Sequence, residues 1–246
     1  MLSAIVFLPL LGAIVAGFFG RLIGARMAEV VTTSLLGVAA ALSWIAFIQI
    51  GLNHGEPQTV QVLDWIVSGP FKTGWTLRFD TLTVVMLVVV NTVSSLVHLY
   101  SIGYMAEDPH RPRFFAYLSL FTFAMLMLVT ADNFLQLFFG WEGVGLASYL
   151  LIGFWYQKPS ANAAAIKAFV VNRVGDFGFA LGIVGIFAVF GTISFDEVFA
   201  ASPDMAGRTF EFAGTQFDIM TTLTFLLFIG AMGKSAQFLL HTWLPD

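Results

Sequence analysis

The chain consists of long runs with few or no charged residues, separated by short polar segments. The runs cover seven stretches: residues 1–20, 30–53, 81–106, 114–131, 133–157, 168–195 and 219–245. About 20 apolar residues in an α-helix, at 1.5 Å per residue, cross the roughly 30 Å hydrocarbon core of a bilayer. Each run is near or above that length. The pattern therefore predicts an all-α integral membrane protein of about seven transmembrane helices.

Composition supports this fold class. Hydrophobic residues make up 58% of the chain and charged residues 11%, against about 45–50% and about 25% in soluble domains. The first run has no positive charge before it and is followed by Arg21 and Arg26, which is the reverse of a cleavable signal peptide. We expect it to be a retained transmembrane helix.

The distribution of positive charge predicts the orientation, because cytoplasmic loops are enriched in Lys and Arg. With the N-terminus outside, the cytoplasmic helix ends carry Arg21, Arg26, Arg111, Arg113, Lys158 and Lys167. The outer side then carries only Lys72, Arg78 and Arg208. The sequence has no polybasic patch of the kind that binds nucleic acid, so we expect no nucleic-acid partner.

Two connections are long. Residues 54–80 alternate apolar and polar side chains on both sides of a Gly-Pro pair, which predicts a β-hairpin on the extracytoplasmic surface. Residues 192–218 are acidic and contain several Phe residues, and we expect a loop with a short amphipathic segment. We divide the chain into residues 1–113, with three leading helices and the hairpin, and residues 114–246, with helices four to seven.

Four charged residues fall near the middle of predicted helices: Glu142, Arg173, Asp176 and Lys234. Unpaired, they would cost on the order of 10 kcal/mol, at about 2.5–3.5 kcal/mol each. Arg173 and Asp176 have the spacing of a pair along one helix, whereas Glu142 and Lys234 must pair with each other or with these two across helices. Such a cluster is typical of an ion path or proton relay. Trp141, beside Glu142, either shapes this site or contacts lipid.

Lysine and carboxylate suit proton transfer without a cofactor. Burial disfavours a charged lysine and a nearby carboxylate favours it, so a carboxylate that approaches or retreats can make Lys234 hold or release a proton. Gly140, Gly143 and Gly145 permit close helix packing. His241, two helical turns after Lys234, would continue the path. The structural alternative is that the buried pairs only fix the order of the helices.

Other chemistries find little support. The chain has no cysteine, which excludes disulfides, Cys-ligated zinc and Cys-ligated iron–sulfur clusters. His98 and His241 could together ligate a haem, but nothing else indicates a haem pocket, and a hydrogen-bonded or relay role suits them better. We expect no metal or cofactor in this chain.

Three segments carry a family resemblance: residues 132–156 (DNFLQLFFGWEGVGLASYLLIGFWY), 167–179 (KAFVVNRVGDFGF) and 233–246 (GKSAQFLLHTWLPD). They resemble the largest antiporter-like membrane subunit, chain L or chain 5, of respiratory complex I, the proton-pumping NADH:quinone oxidoreductase. The resemblance extends over essentially the whole chain.

The resemblance implies roles for these residues. Glu142 matches the glutamate on the family's fifth helix that partners an essential lysine, and Lys234 matches that lysine on a discontinuous seventh helix. Arg173 and Asp176 match charged residues of the sixth helix. The implied function is proton translocation coupled to quinone reduction elsewhere, with NAD, FMN, iron–sulfur clusters and quinone held by other subunits.

The resemblance also sets expectations for partners, location and completeness. Other complex I membrane subunits and lipid would be the partners, in a bacterial plasma membrane or a mitochondrial inner membrane. Family members continue past Trp-Leu-Pro into a second, inverted repeat, so we interpret the chain as a fragment, a truncated product or half of a split subunit, without a complete proton path. Some members have a Pro or Gly between the Gln and the Trp of the last motif, which would explain the break in the seventh helix. This chain has residues 238–241 (FLLH) there instead, so the break is not explained by its sequence. The alternatives are an Mrp-type sodium/proton antiporter subunit and a non-conducting scaffold.

Overall fold

The computed structural model describes residues 1–69 and 71–245. Its helices are α1 (Leu2–Ile23), α2 (Ala25–Ala46), α3 (Thr81–Tyr104), α4 (Arg111–Val129), α5 (Phe134–Ile152), α6 (Pro159–Phe190), α7 (Phe195–Ala201) and α8 (Ile219–Lys234). A π-helical segment, Phe47–Leu52, extends α2. Among the described residues, six helices are long and apolar enough to span a bilayer, and α8 is a shorter apolar helix. The predicted all-α membrane fold is confirmed, with α8 as the seventh and shortest of these helices.

Three helices begin with the same N-cap interaction. Asp80 accepts a hydrogen bond from the amide of Thr83, Asn133 from that of Gln136, and Asp218 from that of Thr221. An Asp or Asn side chain at this position satisfies one of the free amides of the first helical turn. The caps therefore fix where α3, α5 and α8 start.

The β-hairpin predicted for residues 54–80 is present. Strands β1 (Gln58–Ser68) and β2 (Phe71–Phe79) pair antiparallel. Strand β2 is fastened to the helices by hydrogen bonds that include those from the Arg78 amide to the Thr130 carbonyl at 2.8 Å, from the Thr76 amide to the Gln136 side chain at 3.0 Å, and from the Asn133 side chain to the Gly74 carbonyl at 3.2 Å. The hairpin thus lies where α3 and α5 begin and α4 ends, which we call the hairpin end of the bundle.

The connection 192–218 is more ordered than the expected loop. After α7 and a 3₁₀ turn, strands β3 (Thr209–Phe212) and β4 (Thr215–Asp218) form a second antiparallel hairpin. Its turn residues Ala213 and Gly214 both have positive φ angles, 50° and 78°, as a type I′ hairpin turn requires. An alanine is an unusual residue at the first turn position, so the sequence gives only a weak signal for this hairpin.

Helix α8 runs antiparallel to the second half of α6. Four α6 glycines at the spacing of one helix face, Gly175, Gly178, Gly182 and Gly185, contact α8, where added Cβ atoms would lie 2.6–3.0 Å from α8 atoms. Small residues let membrane helices approach closely. Since Gly185 meets Leu223 and Gly175 meets Gly233, the C-terminal end of α8 lies beside the middle of α6.

The prediction of one continuous helix over residues 219–245 is wrong. Helix α8 ends at Lys234, and residues 235–245 contain turns but no helix. Ala236 has φ 48°, its amide bonds to the Gly233 carbonyl at 3.3 Å, and the Gln237 amide bonds to the Met232 carbonyl at 2.9 Å. This is a Schellman motif, whose left-handed position glycine usually occupies. Alanine there hides the helix end from sequence inspection.

Candidate functional site

Helices α5, α6 and α8 bring the four predicted charged residues together as two ion pairs between helices. Arg173 Nη1 lies 2.5 Å from Glu142 Oε1, and we call Glu142–Arg173 the outer pair. Lys234 Nζ lies 3.4 Å from Asp176 Oδ1, and we call Asp176–Lys234 the inner pair. The four residues thus compensate one another's charge, as the sequence indicated.

The pairing itself differs from the prediction. Arg173 and Asp176 were expected to pair along α6, but in the described structure they make no direct contact, and Glu142 pairs with Arg173 instead of Lys234. Residues three apart on a helix point about 60° apart, and α6 lies between α5 and α8. Arg173 therefore reaches Glu142 on α5, while Asp176, which also contacts Trp141 of α5, reaches Lys234 at the end of α8.

Asp176 is the most enclosed of the four, with 4% of its side chain exposed. The indole N–H of Trp141 donates a 2.7 Å hydrogen bond to its Oδ1. The Trp141 ring is in turn stacked on Phe179, with ring centres 4.5 Å apart. Of the two roles open to Trp141, the structure shows the one at the charged site, because its N–H holds the Asp176 carboxylate.

Lys234 occupies the last residue of α8 instead of the middle of a span. Its ammonium lies against α5 at Gly145, where a Cβ atom would be 2.8 Å from Nζ. The helix end also favours a cation, because the last carbonyls of a helix carry partial negative charge. One of these carbonyls, that of Gly233, accepts a hydrogen bond from Trp243 at 3.1 Å. The partner of Lys234, Asp176, lies at mid-helix in α6.

A cavity of about 400 Å³ adjoins the inner pair. It is lined by α4, α5, α6 and the end of α8, including Arg173, Asp176, Lys234 and Asn172. The Asn172 Oδ1 atom is buried and accepts no hydrogen bond from the described residues. A water molecule takes up about 30 Å³ in the liquid and needs polar partners. The cavity is therefore large and polar enough for water to reach Lys234.

Two predicted site residues lie outside this cavity. Glu142 does not line it, and the outer pair is the more exposed, with 28% of the Glu142 and 47% of the Arg173 side chain accessible. His241 is exposed in the turns after α8. The prediction that it lies two helical turns from Lys234 is wrong, because the helix has already ended.

Three contributions to the site were not assigned from the sequence. These are the Trp141–Asp176 hydrogen bond, the fit of Lys234 against Gly145, and the Trp243 bond to the end of α8. Trp141 and Gly145 are four residues apart and so share one face of α5. That spacing, beside Glu142 in the middle of the predicted span, is the signal that could have indicated the roles of Trp141 and Gly145 at the site.

A separate charged cluster lies at the hairpin end. Arg78 contacts Asp80 at 3.0 Å, Asp132 at 3.4 Å and Asp196 at 2.7 Å. Partial burial raises the pKa of the Asp132 carboxyl, and the Arg78 charge offsets this only in part. Burial also acts to raise the pKa of Asp80, but hydrogen bonds from Thr83 and Arg78 outweigh it and hold that pKa below its usual range.

The fold and site can now be compared with known proteins. Residues 131–246 match the family model described as NADH:quinone oxidoreductase/Mrp antiporter, TM. Residues 65–115 match the model described as NADH-Ubiquinone oxidoreductase (complex I), chain 5 N-terminus. These are multi-pass proteins of the antiporter-like class. The chain belongs to the antiporter-like membrane subunits of complex I, the subunit L or chain 5 family.

Individual relatives agree with this assignment. The chain is 58% identical to NADH-quinone oxidoreductase subunit L of Rhodobacter capsulatus, with 100% of this chain and 35% of that protein covered. It is 54% identical to NADH-ubiquinone oxidoreductase chain 5 of Marchantia polymorpha, with 100% and 37% covered. The chain thus spans about a third of the length of the curated relatives it matches.

Solved structures share the fold at lower identity. A chain of the Mrp complex from Dietzia sp. superposes with a TM-score of 0.82 at 22% identity, covering 100% of this chain and 25% of that one. A chain of an archaeal membrane-bound sulfane sulfur reductase gives 0.81 at 18% identity, covering 99% and 46%. The same helical arrangement therefore occurs in respiratory and antiporter complexes.

Proposed function

We propose that this chain is part of a proton-translocating membrane subunit of NADH:quinone oxidoreductase, with other membrane subunits and lipid as its partners. Protons would pass through the inner pair, which the outer pair positions, while quinone reduction in other subunits supplies the free energy and this chain holds no cofactor. The observation that carries the proposal is the inner pair, which joins a lysine at the end of α8 to an enclosed aspartate at mid-helix in α6, beside a cavity. Relatives named as subunits of this oxidoreductase support it.

The geometry suggests how Lys234 could change its proton affinity. Its 3.4 Å contact with Asp176 is longer than the about 2.7–2.9 Å of a strong charge-assisted hydrogen bond. Trp141 binds the same carboxylate at 2.7 Å. When Asp176 turns toward Lys234, the ammonium form is favoured; when it turns toward Trp141, Lys234 is left in a poorly solvated position and can release its proton to water in the cavity.

The outer pair would couple to the inner pair through α6. Arg173 and Asp176 lie less than one turn apart on this helix, so a shift of α6 relative to α5 changes both ion pairs together. Glu142 would then control the position of Arg173 without facing the cavity itself. We assign Glu142 and Arg173 as positioning residues and Lys234 and Asp176 as the groups that hold the proton.

The test uses the assembled oxidoreductase in native membrane vesicles. We expect Lys234→Ala and Glu142→Gln to lower the number of protons pumped per electron, while NADH oxidation by an artificial acceptor changes little. Lys158→Ala is the matched control, because Lys158 lies outside the relay, before α6, with its ammonium over the Trp155 ring. An unchanged proton-to-electron ratio in both relay variants would rule out the proposal.

An Mrp-type antiporter subunit is the second candidate, and the superposition with the Mrp complex chain favours it. Partners that co-purify with the full-length protein separate the two candidates. Flavin and iron–sulfur subunits support the oxidoreductase, whereas small membrane subunits alone support the antiporter. A non-conducting scaffold would instead show reduced assembly of Lys234→Ala, with a normal proton-to-electron ratio in the fraction that assembles.

A further inference from the structure

Two cavities adjoin the groove between α4 and α5, one shared with α6 and α8 and the other with α3 and α7. The cavity beside the inner pair, the lower cavity, has a volume of about 400 Å³. A second cavity of about 430 Å³, the upper cavity, lies toward the hairpin end, where Arg78, Asp80 and Thr83 line it. Among the residues that the structure describes, Leu128 alone lines both cavities. Its side chain therefore lies between the inner pair and the charged cluster at the hairpin end.

The backbone at Leu128 is held tightly. A Cβ atom on Gly140 of α5 would lie 2.6 Å from both the nitrogen and the Cα of Leu128. This is a close approach of α4 and α5 at one point of the groove. On the α5 side, Leu137 lines the upper cavity and Trp141, one turn further on, lines the lower cavity. The two cavities thus meet at the close contact between Gly140 of α5 and Leu128 of α4.

The character of the two cavities changes across this point. The lower cavity contains Arg173, Asp176 and Lys234, whereas the part of the upper cavity next to Leu128 is apolar, with Val129 and Leu137. Apolar constrictions can block conduction by excluding water, and cavities lined by aliphatic side chains stay dry. Water in the lower cavity would therefore end at Leu128.

We propose that Leu128 is an apolar seal that prevents a water connection between the inner pair and the hairpin-end surface. The inference rests on the proposed function, since a relay open to both surfaces at once would let protons run back and would dissipate the gradient. With the seal closed, Lys234 exchanges protons only through the lower cavity. The seal makes proton access to the inner pair one-sided.

The test is passive proton leak through vesicles that contain the assembled complex, measured without turnover after an imposed pH step. Leu128→Ala removes three carbon atoms and opens the constriction, and we expect the leak to rise several-fold. Leu126→Ala is the matched control on the same helix. Leu126 is fully buried and lines neither cavity, so the truncation creates a defect of the same size away from the groove.

If Leu128→Ala does not assemble, Leu128→Val is used, with a smaller leak expected. Vesicles that stay tight, or an equal leak in the Leu126→Ala control, would overturn the seal; a Lys234→Ala effect on pumping would still stand. The double variant Leu128→Ala/Lys234→Ala separates the two claims. A leak that falls with loss of Lys234 supports both, whereas an unchanged leak together with normal pumping in Lys234→Ala supports the seal and rejects the relay.

Discussion

The leading bundle, α1 to α4, and the region formed by α5, α6 and α8 both bury polar side chains at membrane depth, but in different ways. In the middle of the leading helices the polar groups are neutral and hydrogen-bonded across helices, and the buried charge of Glu29 lies near the start of α2, paired with Arg111 at 3.0 Å. His98 Nε2 lies 3.0 Å from the Ser119 hydroxyl, and the Asn91 amide donates to Ser43 at 2.8 Å. His98, Asn91 and Ser43 have no exposed surface. These contacts join α2, α3 and α4, and the four residues that make them line neither of the two cavities described above.

The second region buries charge instead of neutral polarity. Its lysine sits at a helix end, its enclosed aspartate is shared between two donors, and a cavity adjoins both. Irregular backbone at membrane depth is tolerated where it lines a cavity or is buried in protein. The proposed transport therefore rests on charge, free space and an interrupted helix occurring together, and not on buried polar residues alone.

Two glycines of α5 provide the largest expected contrast. Gly140→Ala would place a methyl group 2.6 Å from the α4 backbone at Leu128, which cannot move aside easily. Overpacking of this kind costs about 1–3 kcal/mol, so we expect a lower melting temperature of the complex. Gly145→Ala would instead meet only the flexible end of Lys234, 2.8 Å away. We expect normal stability but a lower proton-to-electron ratio.

The two variants control for each other, because the substitution and the helix are the same. Differential scanning fluorimetry of the complex gives the stability, and vesicle pumping assays give the ratio. Reduced pumping in an otherwise stable Gly145→Ala complex would separate relay geometry from packing. Equal losses of stability in both variants would show that the Lys234 side chain is held as rigidly as the α4 backbone at Leu128. That result would contradict the expected difference between the two variants.

A histidine variant tests the leading bundle, with a smaller expected effect. His98→Leu keeps similar bulk but leaves the Ser119 hydroxyl without its partner. Hydrogen bonds between membrane helices contribute about 0.6 kcal/mol on average and up to about 1.7 kcal/mol, so we expect a modest loss of stability. The proton-to-electron ratio should be unchanged. A changed ratio in stable complexes would mean that His98 handles protons and would break the distinction between the two regions.

The sequence predicted the parts of the fold that depend on local pattern. The spans, the first hairpin and the grouping of the four charged residues follow from hydrophobic runs and spacing. The partners of Arg173 and Asp176 did not follow, because the choice depends on which helices lie on either side of α6. The end of α8 and the second hairpin were also missed, since alanine occupies the left-handed positions at 236 and 213, where glycine or asparagine would have given a signal.

The smallest expected effects lie at the hairpin end, where one guanidinium is shared by three carboxylates. Asp80→Asn and Asp132→Asn both remove one negative charge, and asparagine caps α3 about as well as aspartate. Asp80 has a lowered pKa, so its charge stabilises the fold above the unfolded pKa of about 3.9. That contribution is lost as the pH falls through the folded pKa. Asp80→Asn should therefore lower the melting temperature slightly at pH 7.

Asp132 has the opposite shift, because burial raises its pKa and its charged form is the less stable one in the fold. Above the folded pKa this costs stability, and the cost disappears as the pH falls below the unfolded value of about 3.9. Asp132→Asn should thus raise the melting temperature slightly at pH 7. Melting curves of both variants between pH 7 and about pH 4 should show shifts of opposite sign that shrink on acidification. Shifts of the same sign would contradict this assignment. They would mean that the charges of Asp80 and Asp132 both stabilise the fold, or both destabilise it, beside Arg78.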